Sequence, residues 1–248
     1  MNDISFCKDG YRQLISSMLS AGYGTHDFKS FLPAKGAMLL RHDIDISLDH
    51  AVLQSQINNE LGVSATFFFL VTSDQYNLAN KAGRATLRHV RNAGQSIGLH
   101  FDAALYENAA GSLEEFAEKE VRILEVLSEG PVEAVSFHRP VPSLQGLEGT
   151  FASLPHAYEP RFFSEIEYCS DSQGMFRFGL PWERDGFRER APFQLLTHPI
   201  WWMRDVAVLP LDALITFRSC QANSLGQDLA LNCAPFREYW EAEIDHAK

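Results

Sequence analysis

The sequence predicts an α/β fold in which helices cover a parallel sheet, either open or closed into a barrel. Segments with helical spacing alternate along the chain with short apolar segments. The apolar segments are almost continuously hydrophobic, as in "SATFFFLV" over residues 64–71. Continuous rather than alternating hydrophobicity is typical of parallel strands that are buried on both faces.

The elements follow one another regularly within a single domain, residues 1–248. The predicted strands cover residues 37–45, 64–71, 95–100 and the segments "EAVSFHRP" and "FQLLTHP". The predicted helices cover residues 8–21, 47–61, 81–93 and 112–127, followed by C-terminal helices over 207–248 with breaks at Pro210 and Pro235. Ser47 is placed to cap the second helix, and Ser112 with Glu115 forms a capping box at the fourth. Residues 141–192, rich in Gly, Pro, Ser and aromatics, are predicted to be insertions and short strands on the same domain.

Composition excludes several classes of function. The chain of 248 residues carries a net charge of −11, whereas nucleic-acid binding requires a basic face. Its four cysteines are widely spaced, which argues against a disulfide framework or a Cys-rich zinc site. No long apolar segment and no basic-then-apolar start are present, so the sequence predicts no membrane span, no signal peptide and a cytoplasmic location.

Ionisable residues end several of the predicted strands. Asp43 and Asp45 end the first, His100 the third, His138 and Arg139 the fourth, and His198 a later one. Parallel α/β folds place their sites at the carboxyl ends of strands. We therefore expect these side chains to surround one pocket.

One Asp with two His is a common ligand set for a divalent metal, with one position left for water. Because alternate residues of a strand face the same way, one of Asp43 and Asp45 can bind the metal while the other accepts a proton. A further His can return a proton to a leaving group. These parts predict a metal-assisted amide or ester hydrolase.

The segments "RHDID", "GQSIGLHFD", "SFHRP" and "LLTHP" together resemble the ordered motifs of NodB-type polysaccharide deacetylases, carbohydrate esterase family 4. The nearest resemblance is to a divergent branch from bacterial surface-polysaccharide (O-antigen or capsule) biosynthesis. The resemblance implies a distorted (β/α) barrel of about seven parallel strands. It also implies removal of an N-acetyl group from an amino sugar, nucleotide- or lipid-linked, using a divalent metal, often zinc.

By this resemblance, catalytic Asp43 accepts a proton, Arg139 holds Asp43, and His198 protonates the leaving amine. Asp45 and His100 bind the metal. The usual second metal His corresponds to Ala104, so another residue must complete the site. We expect His138, at the strand end, to complete the site in preference to Asp102. Asp102 lies further into the loop and could instead orient a metal-binding His without contacting the metal itself.

Three further residues are candidates for substrate binding: Trp201 and Trp202, which could stack on a sugar, and Arg41, which could bind an acid group or simply cap carboxylates. His42 points away from Asp43 and is expected to pack outside the site. Asp171 is interpreted as part of a loop turn. Two alternatives to a metal-dependent deacetylase stay open: a metal-independent amide hydrolase on the same barrel, and a non-catalytic glycan-binding protein.

Overall fold

The computed structural model of the chain describes residues 4–139, 141–144 and 146–246. The chain divides between Ala207 and Val208 into two compact units. Within the described part of the chain, no helix combines the length and apolar character needed to cross a bilayer.

Among its described residues, the first unit contains seven strands and five α-helices. The strands are β1 (Gly24–His26), β2 (Ala37–Ile44), β3 (Thr66–Phe69), β4 (Ser96–Phe101), β5 (Val135–Phe137), β6 (Glu167–Ser170) and β7 (Phe193–Thr197). The helices are α1 (Lys8–Ser20), α2 (Leu48–Glu60), α3 (Lys81–Asn92), α4 (Leu113–Ser128) and the short α5 (Pro199–Trp202). The predicted helix starts are confirmed: the Ser47 side chain accepts from the His50 amide, and Ser112 and Glu115 form the capping box.

All pairings between named strands are parallel, and the strand order is β5-β4-β3-β2-β7-β6, with β1 paired to β2. The predicted α/β class with about seven parallel strands is therefore confirmed. Within the described residues the sheet is open, because β5 and β6 stand at opposite ends of this order. The strands β1 and β6, in segments not predicted as individual strands, complete the sheet.

The strands at the centre of the sheet are buried on both faces. Every residue of β2 and β3 is buried, as the continuous apolar runs predict. Phenylalanine rings fill the interior, and Phe28 meets Phe68 and Phe162 edge to face. Packing is close enough that a Cβ atom on Gly98 of β4 would lie 2.4 Å from the Phe68 ring. The sheet is therefore a rigid frame for the residues at its carboxyl edge.

The second unit consists of two helices, α6 (Pro210–Asn232) and α7 (Ala234–His246). They correspond to the predicted C-terminal helices. Pro210 is the first residue of α6, a position where proline costs the helix no hydrogen bond. Gly226 lets α6 approach the Trp240 ring of α7, which a Cβ atom would meet at 2.2 Å.

Candidate active site

Five side chains from four strand ends converge at the carboxyl edge of the sheet. Strands are spaced by ~4.8 Å, so a flat sheet would separate β5 from β2 by about 14 Å. Yet His138 Nδ1, just after β5, lies 3.3 Å from Asp45 Oδ1, just after β2. On the other side, His198 Nε2, just after β7, lies 3.7 Å from Asp45 Oδ2. The sheet therefore curls around Asp45, and the predicted pocket residues are brought together.

Three of these side chains form a compact triad, which we call the Asp45–His100–His138 triad. His100 Nε2 lies 3.1 Å from Asp45 Oδ1 and 3.2 Å from His138 Nδ1. The third separation, between His138 Nδ1 and Asp45 Oδ1, is 3.3 Å. Each residue thus offers one ligand atom within contact of the other two, so a possible Asp–His–His cation site exists.

The triad fits a divalent cation on two grounds. Ligand atoms ~2.05 Å from a tetrahedral zinc ion lie about 3.3 Å from one another, close to the separations observed here. Moreover, the buried Asp45 Oδ1 has no hydrogen-bond partner of good geometry among the described residues. Burial alone would raise the pKa of Asp45, but the imidazoles of His100, His138 and His198 hold that pKa well below its usual value. An ionised oxygen surrounded by imidazoles is suited to a cation.

The neighbours of the triad orient its ligand atoms. His100 Nδ1 lies 2.7 Å from the Ser136 hydroxyl oxygen on β5, which leaves Nε2 directed at Asp45. A hydrogen bond on the far nitrogen is the usual means of fixing the tautomer and orientation of a metal-binding His. His138 places a second nitrogen beside that of His100, whereas Ala104 has no ligand atom to offer. Ala104 itself lies in a short 3₁₀ turn, Ala103–Tyr106.

Asp43 lies beside the triad and is held by Arg41. Its Oδ2 is 3.6 Å from His100 Nε2. Arg41, on the same face of β2, donates from Nε to Oδ1 and from a terminal nitrogen to Oδ2, both at 2.8 Å. Burial would raise the pKa of Asp43, but the Arg41 guanidinium and His100 keep it below its ordinary value. Asp43 is therefore a fixed, ionised carboxylate.

The structure decides between the two readings of Arg41 and corrects the prediction for Arg139. Arg41 is fully buried, so it caps a carboxylate, as one reading expects, and does not reach a substrate acid group. Arg139 does not hold Asp43. Its Nε lies 3.0 Å from both carboxylate oxygens of Asp102, and a terminal nitrogen also donates to Asp102. Asp102 is therefore occupied by Arg139 and is not part of the triad.

His198 pairs with Asp171, a residue that the sequence assigns only to a loop turn. Its Nδ1 lies 2.6 Å from Asp171 Oδ1, and its backbone amide donates to the same carboxylate. Although burial lowers the pKa of His198, Asp171, Asp45 and Asp43 raise it to about 9. His198 is therefore an imidazolium at neutral pH, with Nε2 directed toward Asp45.

The two tryptophans do not face a substrate. Trp202 is fully buried, and its indole nitrogen donates to Asp171 Oδ2 at 2.5 Å. Trp201 is only 9% exposed, too little to offer a ring face to a sugar. The prediction of sugar stacking is wrong for both, because α5 turns back into the core directly after His198. Trp202 instead helps to orient Asp171.

His42 lies outside the site, as expected. It is fully buried on the opposite face of β2, with Nδ1 2.8 Å from the Thr197 hydroxyl and 2.9 Å from Gln54 Nε2. Its Nε2 lies 2.9 Å from Asn58 Nδ2 on α2. Burial lowers its pKa to about 3, so His42 is a neutral structural histidine.

Comparisons with known proteins give low similarity. No family profile matches the chain, and no curated protein does. Among solved structures, a CE4 family pseudoenzyme from Bacillus anthracis shares 16% identity over 78% of this chain and 63% of its own, with a TM-score of 0.42. A Streptococcus pyogenes deacetylase in complex with acetate shares 13% over 85% and 86%, with a TM-score of 0.42.

A family 4 acetyl xylan esterase from Clostridium thermocellum, in complex with a cobalt ion, shares 16% identity over 74% of this chain and 84% of its own, with a TM-score of 0.37. The chain spans less than two thirds of the length of the Bacillus anthracis protein. Identities and TM-scores this low carry no conclusion about the fold or the chemistry of this chain, which follow from its own geometry.

Proposed function

We propose that this protein is a divalent-cation-dependent hydrolase that removes an N-acyl group, such as acetyl, from an amino sugar. The observation that carries the proposal is the convergence of the Asp45–His100–His138 triad with two proton-transfer groups, Asp43 and His198. A cation site alone would suit a structural ion. A cation site flanked by one ionised carboxylate and one imidazolium has the parts of an acyl-transfer centre.

The triad would hold the cation, for which we propose zinc. When bound, the cation would supply positive charge that acidifies water and polarises the acyl carbonyl group. Three protein ligands leave room for water or substrate. His138 and Asp45 are the more open members, with side chains 28% and 24% exposed, whereas His100 is fully buried. Substrate would therefore approach from the His138 side.

Asp43 is the proposed proton acceptor. As water adds to the acyl carbon, one of its protons passes to a carboxylate oxygen of Asp43. The Arg41 fork occupies both oxygens of Asp43 and so fixes the plane of the carboxylate. Because Oδ2 also lies 3.6 Å from His100 Nε2, the acceptor is adjacent to the place where the cation and its water would lie.

His198 is the proposed proton donor. Breaking the C–N bond releases an amine, which is a poor leaving group unless its nitrogen is protonated. An imidazolium held by Asp171 can deliver that proton from Nε2 as the bond breaks, yielding a carboxylic acid and the free amino sugar. A proton donor matters more for an amide than for an ester, and an imidazole whose pKa is raised to about 9 carries the proton to be donated at neutral pH.

The remaining parts of the proposal depend on sequence resemblance. On that basis we place the activity in bacterial surface-polysaccharide biosynthesis, with a nucleotide- or lipid-linked amino sugar as substrate. The site adds one compatible feature: the rim beside His138 carries the Arg139–Asp102 ion pair, in which the Arg139 side chain is 56% exposed. That pair could contact polar groups of a glycan.

The test is acetate release from N-acetylated amino sugars, free, nucleotide-linked and lipid-linked, by protein purified without chelator. We expect release that chelation abolishes and zinc restores, with Asp43→Asn as the inactive control. Release that chelation leaves unchanged would favour the metal-independent hydrolase. Binding of these sugars without release would favour the glycan-binding alternative.

A further inference from the structure

We propose that Tyr76, in the loop between β3 and α3, is a positioning residue that fixes the backbone of Asp45. The inference rests on the proposed cation-dependent function and extends it to a residue that the sequence motifs leave out. It is based on hydrogen bonds at the end of β2, where the chain leaves the sheet to present Asp45.

The Tyr76 hydroxyl joins backbone groups of two neighbouring strand ends. It donates to the carbonyl oxygen of Ile44 at 2.5 Å and accepts from the amide of Leu70 at 2.9 Å. Ile44 is the last residue of β2, and Leu70 directly follows the last residue of β3. One side-chain oxygen thus links the two strands where their ladder ends.

This oxygen lies where the ladder between β2 and β3 ends. Ile44 and Phe69 are the last pair of the parallel register. The hydroxyl bonds to the carbonyl group of Ile44 and to the amide of Leu70, one residue beyond Phe69. It therefore ties the ends of β2 and β3 to each other at the level where Asp45 begins.

Fixing the Ile44 carbonyl group also fixes Asp45. That carbonyl belongs to the peptide unit that connects Ile44 to Asp45, and a peptide unit is planar. Holding its oxygen therefore sets the direction in which the Asp45 Cα atom leaves the strand. Asp45 Oδ1 then reaches His100 Nε2 at 3.1 Å, although His100 belongs to β4, two strands away. A small rotation of this peptide unit would move the Asp45 carboxylate away from the two histidines of the triad.

Tyr76 is a positioning group and not a proton donor to substrate. A phenol has one proton to donate, and that proton is used on Ile44. Burial, together with the negative charges of Asp45 and Asp43, raises the pKa of Tyr76, so the hydroxyl retains its proton. The Tyr76 hydroxyl therefore fixes the backbone that carries the ligand Asp45, and its removal should lower cation affinity.

The test compares two isosteric substitutions in metal-free protein. Tyr76→Phe removes the linking hydroxyl and keeps the ring. Tyr23→Phe is the matched control, because the buried Tyr23 hydroxyl has no hydrogen-bond partner among the described residues. Zinc dissociation constants are measured by competition with a chromogenic chelator. We expect Tyr76→Phe to weaken zinc binding by about 10–100-fold, as for loss of a group that orients a ligand, and Tyr23→Phe to match wild type.

The other outcomes overturn the inference separately from the proposed function. Equal zinc affinity in wild type and Tyr76→Phe, with loss of zinc in Asp45→Asn, would reject the role of Tyr76 and leave the cation site standing. Loss of the metal-free fold in Tyr76→Phe, seen by circular dichroism, would also reject it, because the hydroxyl would then serve stability. Absence of zinc binding by the wild type would overturn both.

Discussion

Arg41 and Asp43 lie two residues apart on β2 and form a fully buried two-bond pair, with both nitrogen–oxygen distances at 2.8 Å. The Arg41 guanidinium also packs over the rings of Phe68 and Tyr158. Separating such a pair leaves one charge buried without compensation. The pair therefore fixes both the ionisation and the orientation of Asp43 at the cost of a strong constraint on the core.

The first prediction concerns this pair. Arg41→Met should lower the free energy of unfolding by about 3–5 kcal/mol, because Asp43 is left buried and unpaired. Adding Asp43→Asn should recover most of that loss. Urea unfolding measures both. Arg88→Met, at an exposed pair with Glu129, is the control and should lower the free energy of unfolding by no more than about 1 kcal/mol. An equally small loss in Arg41→Met would show that the buried pair does not constrain the core.

The second prediction separates proton transfer from cation binding. Asp43→Asn and His198→Ala should each lower turnover by at least ~10²-fold while zinc content stays at the wild-type level. The reason is that neither residue belongs to the triad. Elemental analysis beside the acetate assay checks this. Asp43→Asn should also lower the free energy of unfolding, because it leaves the buried Arg41 charge unpaired. Loss of zinc in Asp43→Asn would mean that the roles of Asp43 and Asp45 are reversed.

The third prediction concerns His198 in metal-free protein. Its imidazole should titrate with a pKa of about 9, because nearby carboxylates, above all Asp171, outweigh burial. Asp171→Asn should lower that pKa, since the main anionic partner is lost while the imidazole stays buried. Imidazole proton shifts in NMR titrations report both values. An unchanged pKa in Asp171→Asn would show that Asp171 does not control the proton on His198.

The fourth prediction is a pH dependence of stability at Glu120 on α4. This buried carboxyl group has one oxygen bonded to the Tyr106 hydroxyl and one without a hydrogen-bond partner in the described part of the chain. Burial raises its pKa from 4.5 to about 7, so the folded state binds a proton that the unfolded chain releases. The stability that Glu120 contributes is therefore present below pH 4.5 and is lost as pH rises through about 7.

Glu120→Gln should consequently be more stable than wild type at pH 8, by a few kcal/mol at ~1.4 kcal/mol per pKa unit, and close to wild type at pH 4.5. Urea unfolding at the two values gives the comparison. Glu118→Gln, on the more exposed side of the same helix, is the control. If the two variants respond alike to pH, the buried carboxyl group is not the cause.

Strand ends predicted much of the site because apolar runs identify β2, β4, β5 and β7 clearly. Each ends at a residue that does not fit a buried strand, and parallel strands bring such ends together. The alternation along β2 also predicted that His42 points away from Asp43. The choice of Arg139 as the partner of Asp43 came from resemblance, and the nearer residue on the same face proved to be the partner.

Other parts could not be predicted for physical reasons. Asp171 directly follows β6, but the sequence of that strand, "EYCS", has no apolar run to reveal it. The burial of Trp201 and Trp202 depends on how α5 packs, which local sequence does not encode. The Tyr76 hydroxyl bonds to backbone groups, which every residue has. Such contacts of a loop side chain leave no pattern in the amino-acid sequence.

The most direct test of the account is the zinc content of three proteins purified without chelator: wild type, His138→Ala and Asp102→Ala. Elemental analysis should find about one ion per wild-type chain, almost none in His138→Ala, which loses one of three ligands, and a partial loss in Asp102→Ala, which alters only the neighbouring Arg139 pair. Zinc in His138→Ala equal to that in wild type would contradict the triad as the cation site.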